Sequence, residues 1–193
     1  MGYASQNDSF LIQNGGNLMF DLKISDLFQA DTISKHWATD VVSLVNPESS
    51  VQLPQPGLGV AHRCYYFHDV TEEDLKYFGP ESVGYQLATP EQVTDLLEFT
   101  KRLTSESKLL VHCHAGISRS TATACGILCQ HNLSPSVAIQ RVLEVRPQAL
   151  PNLYLIRLFD ELLDMRGSLI EAVDTELERF HGRLYRELHQ YFT

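Results

Sequence analysis

Hydrophobic and polar positions change period several times along the chain, and each change predicts a boundary between elements. "MFDLKIS", Met19 to Ser25, alternates apolar and polar residues, as does a strand at the edge of a sheet. "DVVSLVNP", Asp40 to Pro47, is instead a near-continuous apolar run closed by a turn signal, the pattern of a strand buried on both faces at a sheet centre. The prolines and glycines of "ESSVQLPQPGLGV" make the next segment a loop. An aromatic-rich strand follows over Arg63 to Phe67 and stops at His68-Asp69. "TPEQVTDLLEFTKRL" carries a capping box at Thr89 and Gln92, Pro90 at the first helical position, and Val93, Leu96, Leu97 and Leu103 on one face.

Leu109 to Cys113 is a further short buried strand, and helical spacing resumes from Ser118 through about Gln130. "SPSVAIQRVLEV", with Ser134 as N-cap, and "PNLYLIRLFDELLDM" each predict another helix. Strands alternating with helices imply an α/β fold, with a central, mostly parallel sheet of about four to five strands flanked by helices. In the tail, Val173, Leu177, Phe180, Leu184, Leu188 and Tyr191 recur at steps of three and four, an extra C-terminal amphipathic helix over 168–193. That helix is expected to pack on its own domain, with self-association through residues 168–193 as the alternative. Residues 1–17, polar and ending near "NGGN", are expected to be flexible. One domain is left, over 18–167.

Composition narrows the function classes. A 193-residue chain that is 44% hydrophobic can bury one good core, and a net charge of -9 argues against a nucleic-acid surface or a polybasic membrane patch. Any anionic ligand must therefore be captured by local design. No apolar run approaches the ~20 residues that span a bilayer, so a cytoplasmic, unanchored protein is expected. Met1-Gly2 invites an acylation reading, but Gln6 stands where that motif needs Ser or Thr. The four cysteines, Cys64, Cys113, Cys125 and Cys129, lack the paired spacings of a zinc site, and Cys125 and Cys129 read as small core residues one helical turn apart.

The chemistry concentrates in "LLVHCHAGISRSTA", Leu109 to Ala122. A strand ending in cysteine, followed by small residues and a helix start, can curl the backbone N–H groups of His114, Ala115, Gly116, Ile117, Ser118 and Arg119 into an anion nest, reinforced by the helix dipole. A tetrahedral dianion such as phosphate fits such a cradle. Gly116 suits a turn with unusual dihedrals or a close approach, and Ala115 and Ser118 leave the cradle uncrowded. Arg119 supplies a planar fork of donors for two phosphoryl oxygens. The same field favours a thiolate at Cys113, which then serves as nucleophile. Ser120 is placed to donate to the departing sulfur, His112 to orient the loop by hydrogen bonding, and His114 to contribute its backbone while its side chain sits at the rim. An acid for the leaving oxygen is also needed. Asp69 leads, because it directly follows a strand end where ligands gather in parallel sheets; Glu72, Glu73 and Asp74 are loop alternatives.

"HCHAGISRS" resembles the signature of the cysteine-based protein phosphatases, His-Cys, five residues, Arg, Ser or Thr, and most of all the dual-specificity group that includes the MAP kinase phosphatases. The likeness extends to "VVSLVNP", to the aspartate of "YYFHDV" and to "RPQALPN", Arg146 to Asn152, with an insertion around "YFGPESVGYQ". It implies a dual-specificity-like catalytic domain over 18–167 and hydrolysis of phosphomonoesters on phosphorylated protein, without a metal or other cofactor. Cys113 would be the nucleophile, Arg119 the phosphate clamp and Asp69 the general acid, with His112 and Ser120 in support. With no recognisable phosphotyrosine loop, a shallow site accepting phosphoserine, phosphothreonine and phosphotyrosine is expected. A phosphoinositide or other non-protein phosphatase is the alternative, disfavoured because the loop contains no lysine. A binding-only pseudophosphatase is another, disfavoured by the intact Cys113 and Arg119; sulfurtransferase and arsenate reductase readings leave Asp69 and the Pro-Asn segment unexplained. If the strands bearing Cys64 and Cys113 are neighbours, peroxide could join the two sulfurs.

Overall fold

The computed structural model describes residues 20–189, with side chains to residue 182; the expected flexible segment 1–17 lies outside the described residues, as do Tyr191 and Phe192 of the tail. Four strands, β1 (Asp21–Ser25), β2 (Asp40–Val45), β3 (Ala61–Tyr66) and β4 (Lys108–His112), form one sheet in the order β1-β4-β2-β3, and every pairing is parallel. β1 is an edge strand and β2 is interior with all six residues buried, as their patterns require. β3 begins two residues earlier than its aromatic run suggests. Its ladder runs on past Tyr66, because the Phe67 N–H donates to the Val45 carbonyl at 3.0 Å.

Seven α-helices accompany the sheet among the described residues: α1 (Leu27–His36), α2 (Glu72–Phe78), α3 (Pro90–Thr100), α4 (Arg119–Gln130), α5 (Pro135–Val145), α6 (Leu153–Leu162) and α7 (Ser168–His189). The two faces of the sheet are covered unequally. Leu22, Ile24, Val42, Leu44, Leu109 and Val111 point into the main core beneath α3 to α7, whereas Val41 and Leu110 point the other way, onto Ala30 of α1. Period-two alternation in β2 and β4 thus feeds two cores at once. α7 packs against α5 and α6 through Leu169, Ala172 and Val173, so the first half of the amphipathic tail is buried on its own domain. None of the helices is long and apolar enough to cross a membrane among the described residues.

α1 and α2 leave no mark in the hydrophobic pattern, and burial explains why. α1 buries only Ala30 and Ser34 and leaves Phe28 exposed, while α2 buries nothing. Their ends hold them instead. The Asp26 side chain accepts from the Gln29 N–H, and Thr71 and Asp74 form a reciprocal capping box above three first-turn acids. α3 has the capping box expected from Thr89 and Gln92, but Ser134 precedes α5 without a side-chain cap bond.

α4 is the hub of the main core, buried at every position from Arg119 to Cys129. It approaches α6 so closely that a Cβ on Gly126 would lie 2.2 Å from the Phe159 ring, which is itself fully buried. Cys125 and Cys129 sit in the same core, where burial raises both thiols, Cys129 to about 12, and keeps them protonated. Gly126→Ala is expected to destabilise the protein by about 1–3 kcal/mol through overpacking. Chemical unfolding checks this, and an unchanged midpoint would show that the α4–α6 approach is looser than described.

Candidate active site

Because all four strands run parallel, their C-terminal ends share one edge, and the end of β4 lies in its middle with His112 in register with Ser25 on one side and Ser43 on the other. A loop emerging there is flanked by structure on both sides, the usual place for a ligand site in an open parallel sheet. Cys113 is the first residue beyond the strand and is 1% exposed. Its sulfur lies 3.2 Å from Ser120 Oγ and accepts from the Gly116 N–H at 3.2 Å.

The loop from His114 to Ser118 then turns back into α4, and its carbonyls account for its shape. The His114 carbonyl accepts from the Leu27 N–H, those of Ala115 and Gly116 from the Arg146 guanidinium at 3.0 and 2.9 Å, and that of Ile117 from the Leu150 N–H. The Ser118 carbonyl accepts from the N–H groups of Ala122 and Asn152. In a trans peptide the carbonyl and the next N–H point in opposite directions, so carbonyls held outward turn the N–H groups of residues 115–119 inward. Gly116 makes the curl possible. Its φ is +70°, and a Cβ there would lie 2.6 Å from the Ser25 carbonyl carbon.

Arg119 occupies the first position of α4 and is 3% exposed. One terminal nitrogen donates to Asn46 Oδ1 (2.8 Å) and to the Phe67 carbonyl (2.7 Å), which fixes the guanidinium plane. Its Nε is buried with no hydrogen-bond partner, and the nearest carboxylate oxygen, Asp69 Oδ2, is 3.8 Å away. Asp69 in turn accepts at Oδ1 from Ser118 Oγ (2.6 Å) and from Asn152 Nδ2 (2.9 Å). Its carboxylate is therefore held at the loop.

The alternative acids are engaged elsewhere: Asp74 in the α2 capping box, and Glu73 in an ion pair with Arg157. Glu72 lies in the first turn of α2. Cys113, Arg119, Ser120, Gly116, Ser118 and Asp69 thus converge. The His114 side chain is exposed at the rim and lines a recess of about 110 Å³ with Val45, Asn46, Glu48, Ser49 and Val51.

His112 lies behind the loop, fully buried on the α1 side of the sheet. Its Nε2 is 2.6 Å from Ser43 Oγ, which is also 2.7 Å from His62 Nε2, so one hydroxyl bridges two imidazoles. Burial is the main cause that pushes the His112 pKa down to about 4, against a smaller opposing effect of the Cys113 backbone, and the ring is neutral near pH 7. Cys64 also lies on this side, in register with Ser43, and β2 separates its strand from β4. Alternate strands are roughly 9–10 Å apart, beyond the ~7 Å Cα reach of a disulfide, so the condition for a Cys64–Cys113 bridge is not met.

Several of these partners carry no signal in the local pattern. Asn46, Arg146 and Asn152 lie in the quoted "VVSLVNP" and "RPQALPN" segments, yet their roles emerge only when distant parts of the chain meet: Asn152 is 83 positions from Asp69. Ser25, Ser43 and His62 give no sequence signal at all.

No family model matches the sequence, and no curated protein matches it by sequence. Solved structures do match. Human DUSP28 superposes with a TM-score of 0.51 at 21% identity, covering 76% of this chain and 93% of that one, and a single-substitution variant of the same human protein with a TM-score of 0.52 at 25% identity, covering 75% and 92%. PTPMT1, solved in complex with PI(5)P, matches with a TM-score of 0.50 at 17% identity, over 77% of this chain and 90% of that one. The chain has the α/β fold of the dual-specificity phosphatases.

The depressed His112 pKa fixes a pH dependence. Between about 4 and 6.5 the unfolded chain binds a proton at this site that the folded chain excludes, so stability rises with pH across that window. His112 is expected to contribute roughly 3 kcal/mol of the acid-side loss. An NMR titration of its imidazole should show no protonation above pH 5, whereas a midpoint near the ordinary value would contradict the buried neutral ring.

Proposed function

We propose that the protein is a cysteine-dependent phosphomonoesterase that acts on phosphorylated proteins, accepting phosphotyrosine and also phosphoserine and phosphothreonine. One observation carries the reading: a buried sulfur accepts from the Gly116 N–H in a loop whose carbonyls are engaged by Leu27, Arg146, Leu150 and Asn152, and the arginine that ends the loop is held by Asn46 and Phe67 while its Nε has no hydrogen-bond partner. Such a concavity is a fixed, preorganised anion site.

In this reading the reaction proceeds in two steps. A phosphoryl group seated in the loop presents two oxygens to the Arg119 fork and its phosphorus to Cys113 Sγ. The thiolate attacks in line, a sulfur–phosphorus bond forms, and the bond to the leaving oxygen breaks while Asp69 supplies that oxygen with a proton. Asp69, now a carboxylate, takes a proton from a water that attacks the same phosphorus. The sulfur–phosphorus bond then breaks, and Ser120 Oγ, 3.2 Å from the sulfur, donates to the returning thiolate. The bonds from Asn152 and Ser118 to Asp69 Oδ1, which keep its carboxylate at the loop, support this role. No step calls for a metal.

Protein substrates are favoured over inositol lipids because the loop between Cys113 and Arg119 consists of His, Ala, Gly, Ile and Ser, with no lysine to meet additional phosphates.

Cys113→Ser is expected to abolish hydrolysis of aryl phosphates and phosphopeptides, and Asp69→Asn to lower kcat by roughly 100- to 10,000-fold. Asp74→Asn should change kcat far less, since that carboxylate caps α2. Steady-state rates over a panel of phosphopeptides and phosphoinositides, with and without EDTA, check all three. Faster turnover of inositol lipids would overturn the protein assignment, chelator sensitivity the metal-free mechanism, and phosphopeptide binding without turnover the enzyme itself.

A further inference from the structure

His68 separates two residues of the site: the Phe67 carbonyl accepts from Arg119, and Asp69 carries the carboxylate beside the loop. Its own ring is 6% exposed and is bonded on both nitrogens. Nδ1 accepts from the Gln86 N–H at 2.9 Å, which leaves the proton of the neutral ring on Nε2, and Nε2 donates to the Glu48 carboxylate, 2.9 Å from Oε2. The backbone adds a third tie, because the His68 N–H donates to the Gln86 carbonyl at 2.8 Å. The Tyr85 ring packs edge-on against the imidazole, with centroids 4.9 Å apart.

Those ties clip the segment from Tyr77 to Gln86, the insertion noted in the sequence, onto the strand end immediately before Asp69. The segment has little else to hold it. α2 buries no residue, and neither does the 3₁₀ turn Gly79–Ser82 that follows it. The carboxylate of Asp69 is located by Ser118 and Asn152; the backbone that carries it is tied at Phe67 to Val45 and Arg119, at Val70 to Asn152, and at the residue immediately before it by His68.

We propose that His68 is a positioning residue for proton delivery: through Gln86 and Tyr85 it fixes the main chain that presents Asp69 to the leaving oxygen. The proposal rests on Asp69 being the general acid. Of its two ring hydrogen bonds, the Gln86 bond is the one that matters. It joins main chain to a buried acceptor, while Glu48 is two-thirds exposed, where water competes for the bond and polar contacts contribute little.

The test uses leaving-group dependence, which a general loss of structure does not alter. 2,4-Dinitrophenolate leaves without a proton, whereas phenolate needs one. His68→Ala is expected to lower kcat for phenyl phosphate by at least about ten-fold and for 2,4-dinitrophenyl phosphate by no more than about two-fold, a part of the effect of losing the acid outright. His68→Asn, whose amide oxygen can replace Nδ1 as acceptor for Gln86, should restore most of the phenyl phosphate rate, and His68→Gln, which retains only the donor towards Glu48, should not. If the alanine variant does not fold, the Asn and Gln pair alone decides.

Equal losses on both substrates, no loss, or better rescue by Gln than by Asn would overturn the proposal. Asp69→Asn run alongside separates the two layers. If it shows leaving-group dependence and the His68 variants do not, only the role of His68 fails; if it shows none, the acid assignment fails and the proposal with it.

Discussion

A trans peptide group cannot point its carbonyl and its following N–H to the same side, and in this protein the loop after Cys113 turns that rule into a candidate anion site. Five successive carbonyls, His114 to Ser118, are drawn outward by Leu27, Arg146, Leu150, Asn152 and the first turn of α4. The following N–H groups are left on the opposite side, and that of Gly116 donates to the Cys113 sulfur. Much of the fold serves that orientation. β4 must be interior so that its end has neighbours on both sides, the β1–α1 turn must approach Gly116 to within Cβ contact, and the end of α5 must deliver Arg146 from the far side.

The acid side of the site is built differently. Asp69 lies three residues beyond the end of the edge strand β3 with its side chain 35% exposed, so although Phe67 and Val70 on either side are buried, packing does not itself lock the carboxylate. Polar contacts do this instead: Ser118 and Asn152 to its carboxylate, Glu48 and Gln86 to its neighbour His68. The proposed nucleophile is thus set by packing and the proposed acid by hydrogen bonds, and the two halves are expected to differ in rigidity, the acid half being the easier to open locally.

What could be read in the sequence followed what was buried. β2, α3 and the run from Leu109 into α4 each place apolar residues at one clear period, because each faces the main core. α1 and α2 were silent because capping, which needs only two or three polar residues, holds them in place of an apolar stripe. Within the site, Cys113, Gly116, Arg119 and Ser120 lie within eight residues and spell out their chemistry locally. Asn46, Arg146, Asn152, Ser43 and His68 act across the sheet or between loops, so their contribution depends on the register β2–β4 and on where α5 ends. A cysteine bridge from Cys64 looked open from sequence for the same reason: strand order is a tertiary property, and β2 lies between.

A cysteine-dependent reaction at this site requires the Cys113 sulfur to become covalently phosphorylated during turnover. Rapid acid quench of the Asp69→Asn variant with an aryl phosphate, followed by peptide mass spectrometry under conditions that preserve thiophosphates, reads this out. A phosphoryl adduct on the peptide containing Cys113, formed and lost at rates compatible with turnover, is the predicted result. Phosphate found on Ser120, or turnover with no adduct on Cys113, would contradict it.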